Sequence, residues 1–261
     1  MTFGSLFSGI GGMDLGLERA GMTCKWQVEI DPFCQKVLKK HWPDVKKYGD
    51  IRELTGDELE RVDVIAGGFP CQDLSCAGKR AGIDGERSGL WAEYARLLGF
   101  LRPKFVLIEN VSGLLANEPM RRVLGDLFAL GFDAQWESIP AASVGAPHLR
   151  DRVWVFAYSR QEHRISPRRG HDEGRCPDLF PERDGRCKEI GSKDWELVAL
   201  VPGIHQGSSA DWWLRQSVMA RSINGVPREL VDAANGAFGN AVVPQVAEWI
   251  GERILQAEAT I

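Results

Sequence analysis

The sequence predicts an α/β fold, a mostly parallel sheet covered by helices, with an irregular region inserted late in the chain. Three observations predict it. Short β-rich runs alternate with helical stretches through residues 1–158, the pattern of strands joined by crossover helices. A glycine-rich turn, Phe7-Ser8-Gly9-Ile10-Gly11-Gly12, stands between the first strand and the first helix. The run Lys104–Glu109 (KFVLIE) is continuously apolar before its acid, as expected of a strand buried on both faces.

Each element follows from local pattern. Thr2–Phe7 reads as a strand and Met13–Ala20 as a helix. Cys24–Ile30 is a second strand, and Pro32–His41 a helix with proline in its first turn. Val62–Ala66 is a buried strand ended by Gly67-Gly68, Ser88–Leu101 a helix, and Lys104–Glu109 the next strand. Pro119–Leu130 is a helix closed by Gly131, and Asp133–Ile139 and Arg152–Tyr158 are further strands. Residues 159–194 are rich in Arg, Gly, Pro, Asp and Glu and lack a periodic apolar face. From Gly239 an amphipathic helix runs to about Ala257 and is expected to return to the first domain.

Composition narrows the class. The 261 residues are 44% hydrophobic and 26% charged, with a net charge of −4, so a global basic excess does not announce a polyanionic partner. Arg160, Arg164, Arg168 and Arg169 against Glu162 nevertheless make one locally basic stretch. No apolar run approaches the ~20 residues of a membrane span, and the N-terminus lacks a basic leader with an apolar core. Six cysteines without a Cys-x-x-Cys pair read as reduced thiols rather than disulfides or a zinc site. The expectation is a cytoplasmic protein with no metal.

Five constellations carry the chemistry. The glycine turn lets backbone approach a ligand at a helix N-terminus, but Asp14 occupies the third position of a G-x-G-x-x-G fingerprint, against a dinucleotide. Its companion acid, Glu29, ends the second strand, where a carboxylate accepts from ribose hydroxyls. Gly67-Gly68-Phe69-Pro70-Cys71-Gln72 places a thiol at the carboxyl end of a sheet strand, and Gly78, Gly82, Gly85 and Gly89 predict a loop able to close over a substrate. Glu109-Asn110-Val111 ends the strongest strand, where partial desolvation raises a carboxyl pKa. Arg150-Asp151-Arg152 sends two guanidinium groups to one face of a strand. Last, Gly239-Asn240-Ala241-Val242-Val243-Pro244 opens the terminal helix.

In that order, these motifs resemble the cytosine-5 DNA methyltransferase family, over about 1–158 and 239–261, with Phe69-Pro70-Cys71-Gln72 and Glu109-Asn110-Val111 the specific part. The resemblance implies a Rossmann-like domain that binds S-adenosylmethionine, formed by 1–158 and completed by 237–261, with 159–236 as the target-recognition region. It implies cofactor contacts from Phe7, Gly9, Gly11, Gly12, Glu29, Ile30, Asp50, Ile51, Pro70, Leu90, Asn240 and Ala241, with Asp50 accepting from the adenine amino group. Cys71 would add to carbon 6 of a cytosine flipped out of double-stranded DNA. Glu109 would hydrogen-bond near nitrogen 3, and Arg150 and Arg152 would hold the ring oxygen. Gln72 and Asn110 would touch the substrate, and Arg164, Arg168 and Arg169 its phosphates. A compact enzyme acting as a monomer, paired in some settings with a restriction endonuclease, is implied.

Three residues depart from the family pattern: His148 where glutamine is usual, Ile30 where an aromatic often meets adenine, and the loosely matching Pro227-Arg228-Glu229-Leu230. Two alternatives stay open from sequence: a tRNA cytosine-5 methyltransferase, and a catalytically silent DNA-binding homologue.

Overall fold

The computed structural model describes residues 1–70, 89–146, 150–160 and 240–260. Seven strands form one sheet: β1 (Thr2–Leu6), β2 (Thr23–Val28), β3 (Lys46–Tyr48), β4 (Val64–Gly67), β5 (Phe105–Val111), β6 (Phe132–Pro140) and β7 (Asp151–Ser159). Their spatial order is β3-β2-β1-β4-β5-β7-β6. The first five run parallel, and β7 pairs antiparallel with both β5 and β6. The helices are α1 (Gly12–Arg19), α2 (Pro32–His41), α3 (Leu90–Leu101), α4 (Asn117–Ala129) and α5 (Pro244–Thr260).

Alternation along the strands builds two cores. In β5, Phe105 and Leu107 pack toward one layer with Met13 and Leu17 of α1 and Val246, Ile250 and Ile254 of α5. Val106 and Ile108 face the opposite layer, with Trp91, Tyr94 and Leu97 of α3 and Val123 and Leu127 of α4. A strand whose successive side chains enter different cores has no polar face to show, which is why KFVLIE reads as an unbroken apolar run. Each such large side chain contributes roughly 1.5–3 kcal/mol of burial.

The sequence expectations hold for element type, with shifted ends. Two differences are substantive. The edge strand β3 carries two lysines in three residues and leaves no apolar signature. The terminal helix begins at Pro244 rather than Gly239: proline at the first helical position has no amide hydrogen to waste and a preset φ. Residues 241–243 thereby stay outside the helix, next to the sheet edge described below. The expected recognition region 159–236 lies, beyond residue 160, outside the described residues.

Candidate active site

Parallel strands deliver their carboxyl ends to one edge, and the ends of β1, β2, β4 and β5 meet there. Leaving β1, the chain turns through the left-handed region at Phe7 (φ 54°), Gly9 (φ 56°) and Gly11 (φ 85°). For a bulky residue such as Phe7 this is a strained conformation, maintained by the surrounding structure. Gly11 is required for space as well, since a Cβ there would lie 2.4 Å from the Trp42 ring. The turn is held open by Glu29. Its Oε2 accepts from Gly9 N–H at 2.7 Å and its Oε1 from Asp31 N–H at 2.8 Å. Asp31 in turn caps α2, accepting from the amides of Phe33 and Cys34.

Beneath the turn lies a buried polar network that the motif reading did not detect. Asp14, 0% exposed, accepts from Ser5 Oγ at 3.0 Å and from Gln27 Nε2 at 2.8 Å. Ser8 Oγ donates to Ser5 Oγ at 2.8 Å. Burial raises the Asp14 carboxyl to about 6, with the Gln27 and Ser5 hydrogen bonds opposing. The residue that argued against a dinucleotide fingerprint is therefore a strut joining β1, α1 and β2. Its one signal in the sequence is an acid on the apolar side of a helix.

The remaining cofactor-side candidates are placed as follows. Ile30 is 59% exposed beside Glu29. Ile51 is buried in the core. Asp50 caps the short 3₁₀ turn Ile51–Glu53, and its carboxylate is held by Arg52 through the amide and the guanidinium. That contact keeps the Asp50 carboxyl below its ordinary pKa. Leu90 opens α3 and packs on the core beside the aromatic group Phe69, Trp91 and Tyr94. Asn240 is exposed, and Ala241 offers its carbonyl to Arg150 Nη2 at 2.9 Å.

On the other side, β4 is followed by Gly68-Phe69-Pro70, and Asn110 Nδ2 donates to the Phe69 carbonyl at 3.1 Å. Asn110 is 3% exposed and also accepts from Val111 N–H, so it joins the end of β5 to the segment that follows β4. Glu109 is 8% exposed, and Arg152 Nε stands 2.9 Å from its Oε1. Burial pushes the Glu109 carboxyl up, while the Arg152 and Arg150 guanidinium groups pull it back. Gly68 makes room for it: a Cβ would fall 2.9 Å from Glu109 Oε2. Cys71, Gln72, His148, Arg164, Arg168 and Arg169 lie outside the described residues.

Comparison with known proteins identifies the family. Residues 1–193 match the model of the C-5 cytosine-specific DNA methylase family. The chain is 32% identical to Type II methyltransferase M2.BsuMI of Bacillus subtilis, over 98% of this chain and 76% of that protein. It is 40% identical to M.NgoMIV of Neisseria gonorrhoeae over 62% of this chain, where it spans about half the relative's length (53%). A solved DNA modification methyltransferase encoded within an E. coli prophage superposes with a TM-score of 0.54 at 29% identity, covering 62% of this chain and 47% of that one. With the family match covering most of the chain, the chain belongs to the C-5 cytosine-specific DNA methylases and is a DNA cytosine-5 methyltransferase.

Proposed function

We propose that the chain acts on cytosine flipped out of double-stranded DNA, with S-adenosylmethionine as methyl donor. The observation that carries this reading is the buried Glu109–Arg152 pair at the same sheet edge as the Glu29–Gly9 turn, with Pro70, the residue before Cys71 in sequence, following β4 between them. The residues present fit the cofactor. The turn from Phe7 to Gly12 presents backbone at the N-terminus of α1, Glu29 offers carboxylate lone pairs to ribose hydroxyls, and Ile30 offers an apolar face to adenine. When bound, the cofactor supplies an electrophilic methyl group on a sulfonium.

The chain's own residues make carbon 5 reactive toward it. Cys71 thiolate adds to carbon 6, and Glu109 shares its proton with nitrogen 3, so the ring's electron density moves to carbon 5. Arg152 keeps Glu109 oriented and, with Arg150, faces the ring oxygen. Loss of the carbon-5 proton and departure of Cys71 restore the aromatic ring. A base inside the duplex cannot reach Cys71 and Glu109 together, so the reaction requires extrusion.

Residues 159–236 serve in this reading as the target-recognition region, with Arg164, Arg168 and Arg169 on phosphates and Gln72 near the base. In this reading the chain works as a monomer in the bacterial cytoplasm, and its pairing with a restriction endonuclease accords with the Type II names of the relatives. Among the described residues no helix is long and apolar enough to cross a membrane, and no group of three or more potential metal ligands occurs.

The test is methyl transfer from labelled S-adenosylmethionine to unmethylated DNA and to tRNA, with base-resolution mapping of 5-methylcytosine. Modification of DNA at one short motif is expected, and Cys71→Ala should abolish it while cofactor binding persists. Transfer to tRNA alone, or full turnover by Cys71→Ala, overturns the proposal.

A further inference from the structure

Among the described residues, four buried side-chain polar atoms have no hydrogen-bond partner: Gln27 Oε1, Glu109 Oε1, Trp154 Nε1 and Gln245 Oε1. Two of the four belong together. Glu109 on β5 and Trp154 on β7 are directly paired across the antiparallel ladder, so both side chains leave the sheet on the same face. Both line one cavity, with Arg150 and Arg152 completing its polar wall and Ile139 and Val246 its apolar wall. Its volume, counted as space open to the centre of a water molecule, is about 10 Å³, room for about one water.

The polar inventory of this cavity matches what one water needs. Trp154, 1% exposed, has an indole N–H that can only donate. Glu109 Oε1 can only accept while ionised. Arg152 Nε lies 2.9 Å from that oxygen, yet the oxygen has no aligned hydrogen-bond donor, so the contact is an ion pair and leaves a lone pair free. A water accepting from Trp154 Nε1 and donating to Glu109 Oε1 satisfies both. Phenylalanine would fill most of the same core volume without a buried N–H, so packing alone does not account for tryptophan here.

We infer that Trp154 is a positioning residue for Glu109, its indole N–H holding the carboxylate through a single water bound in the cavity between β7 and α5. The inference deepens the proposed role of Glu109 as the proton-bearing group. The charged groups facing Glu109 among the described residues are Arg150 and Arg152. The segment after β4 presents Gly68, and α5 and the segment before it present Val246 and Val243. A donor relayed to Oε1 favours the ionised form, so the water opposes burial alongside the two arginines. Glu109 is thereby set to exchange its proton with a bound base rather than keep it.

Two measurements on the full chain test this, neither requiring turnover. A high-resolution crystal structure should show a water within hydrogen-bond distance of Trp154 Nε1 and Glu109 Oε1, absent in Trp154→Phe. Titration of Glu109 by carboxyl-carbon NMR, assigned with Glu109→Gln, should move up by about half to one pH unit in Trp154→Phe. Replacing Trp154 with its benzothienyl analogue, which keeps the ring shape and lacks the N–H, should give the same shift even if Trp154→Phe folds poorly. An unchanged Glu109 titration in the analogue, or a protein carbonyl found on Trp154 Nε1, overturns the inference. Methyl transfer by the parent is scored separately. Its absence beside an intact water and an intact shift refutes the proposed function and leaves the Trp154 contact standing.

Discussion

Glu29 Oε2 accepts a hydrogen bond from Gly9 N–H at 2.7 Å, joining the end of β2 to the turn that leaves β1. Its other oxygen accepts from Asp31 N–H, so a single carboxylate orders both loops that flank the proposed cofactor site. Ordering them before the ligand arrives reduces what binding must spend on immobilising backbone.

Glu29→Ala removes both contacts and the proposed ribose acceptor together. S-Adenosylmethionine affinity measured by calorimetry is expected to fall by roughly 10-fold or more, the equivalent of one charge-assisted hydrogen bond. An unchanged affinity would remove Glu29 from the cofactor site.

Gly68→Ala addresses the catalytic side without altering any titratable group. The added Cβ would sit 2.8 Å from the Glu109 carbonyl and 2.9 Å from its Oε2, so both the backbone at Glu109 and its carboxyl must shift. A displacement of this kind is expected to lower kcat by about 10²-fold, with cofactor affinity retained. Normal single-turnover rates would show that the position of Glu109 is not critical.

Asp14 makes folding stability depend on pH. Its folded-state pKa of about 6 lies above the ordinary 3.8, so the native state binds the extra proton and the unfolded chain does not. The associated stability is fully present below pH ~4 and is lost as pH rises through ~6, an effect of about 2–3 kcal/mol. In Asp14→Asn this slope should vanish, with Gln27 able to turn its unpartnered Oε1 toward the new amide. Urea titrations of both proteins at pH 4, 5, 6 and 7 measure the difference. Parallel pH profiles would refute the assignment.

Arg150 ties the C-terminal segment to the active edge through the Ala241 carbonyl, 2.9 Å from Nη2. Its backbone φ of 23° is unusual for a residue with a side chain. Arg150→Ala should destabilise this segment locally by about 1–2 kcal/mol. Faster amide hydrogen exchange confined to residues 241–250 is the expected readout, and exchange identical to the parent's would place the anchor elsewhere.

Much of this architecture is legible in the chain because it is written locally. The alternating cores of β5 follow from Phe105-Val106-Leu107-Ile108, and the turn of β1 follows from glycines at Gly9 and Gly11. Glu29 and Glu109 are readable for the same reason: each ends a strand, and parallel strands all end at one edge. Other features depend on groups far apart in sequence that only folding brings together. Asp14 becomes a buried strut because Gln27, thirteen residues on, turns its amide inward. Asn110 finds the Phe69 carbonyl forty-one residues away. Arg152 and Trp154 meet Glu109 only because β7 enters the sheet antiparallel to β5 in a register that puts them on its face. Sequence period determines which side of an element is apolar. Which polar groups share a buried space is decided by strand order and register, where leaving any one of them unpaired in a low-dielectric interior is costly.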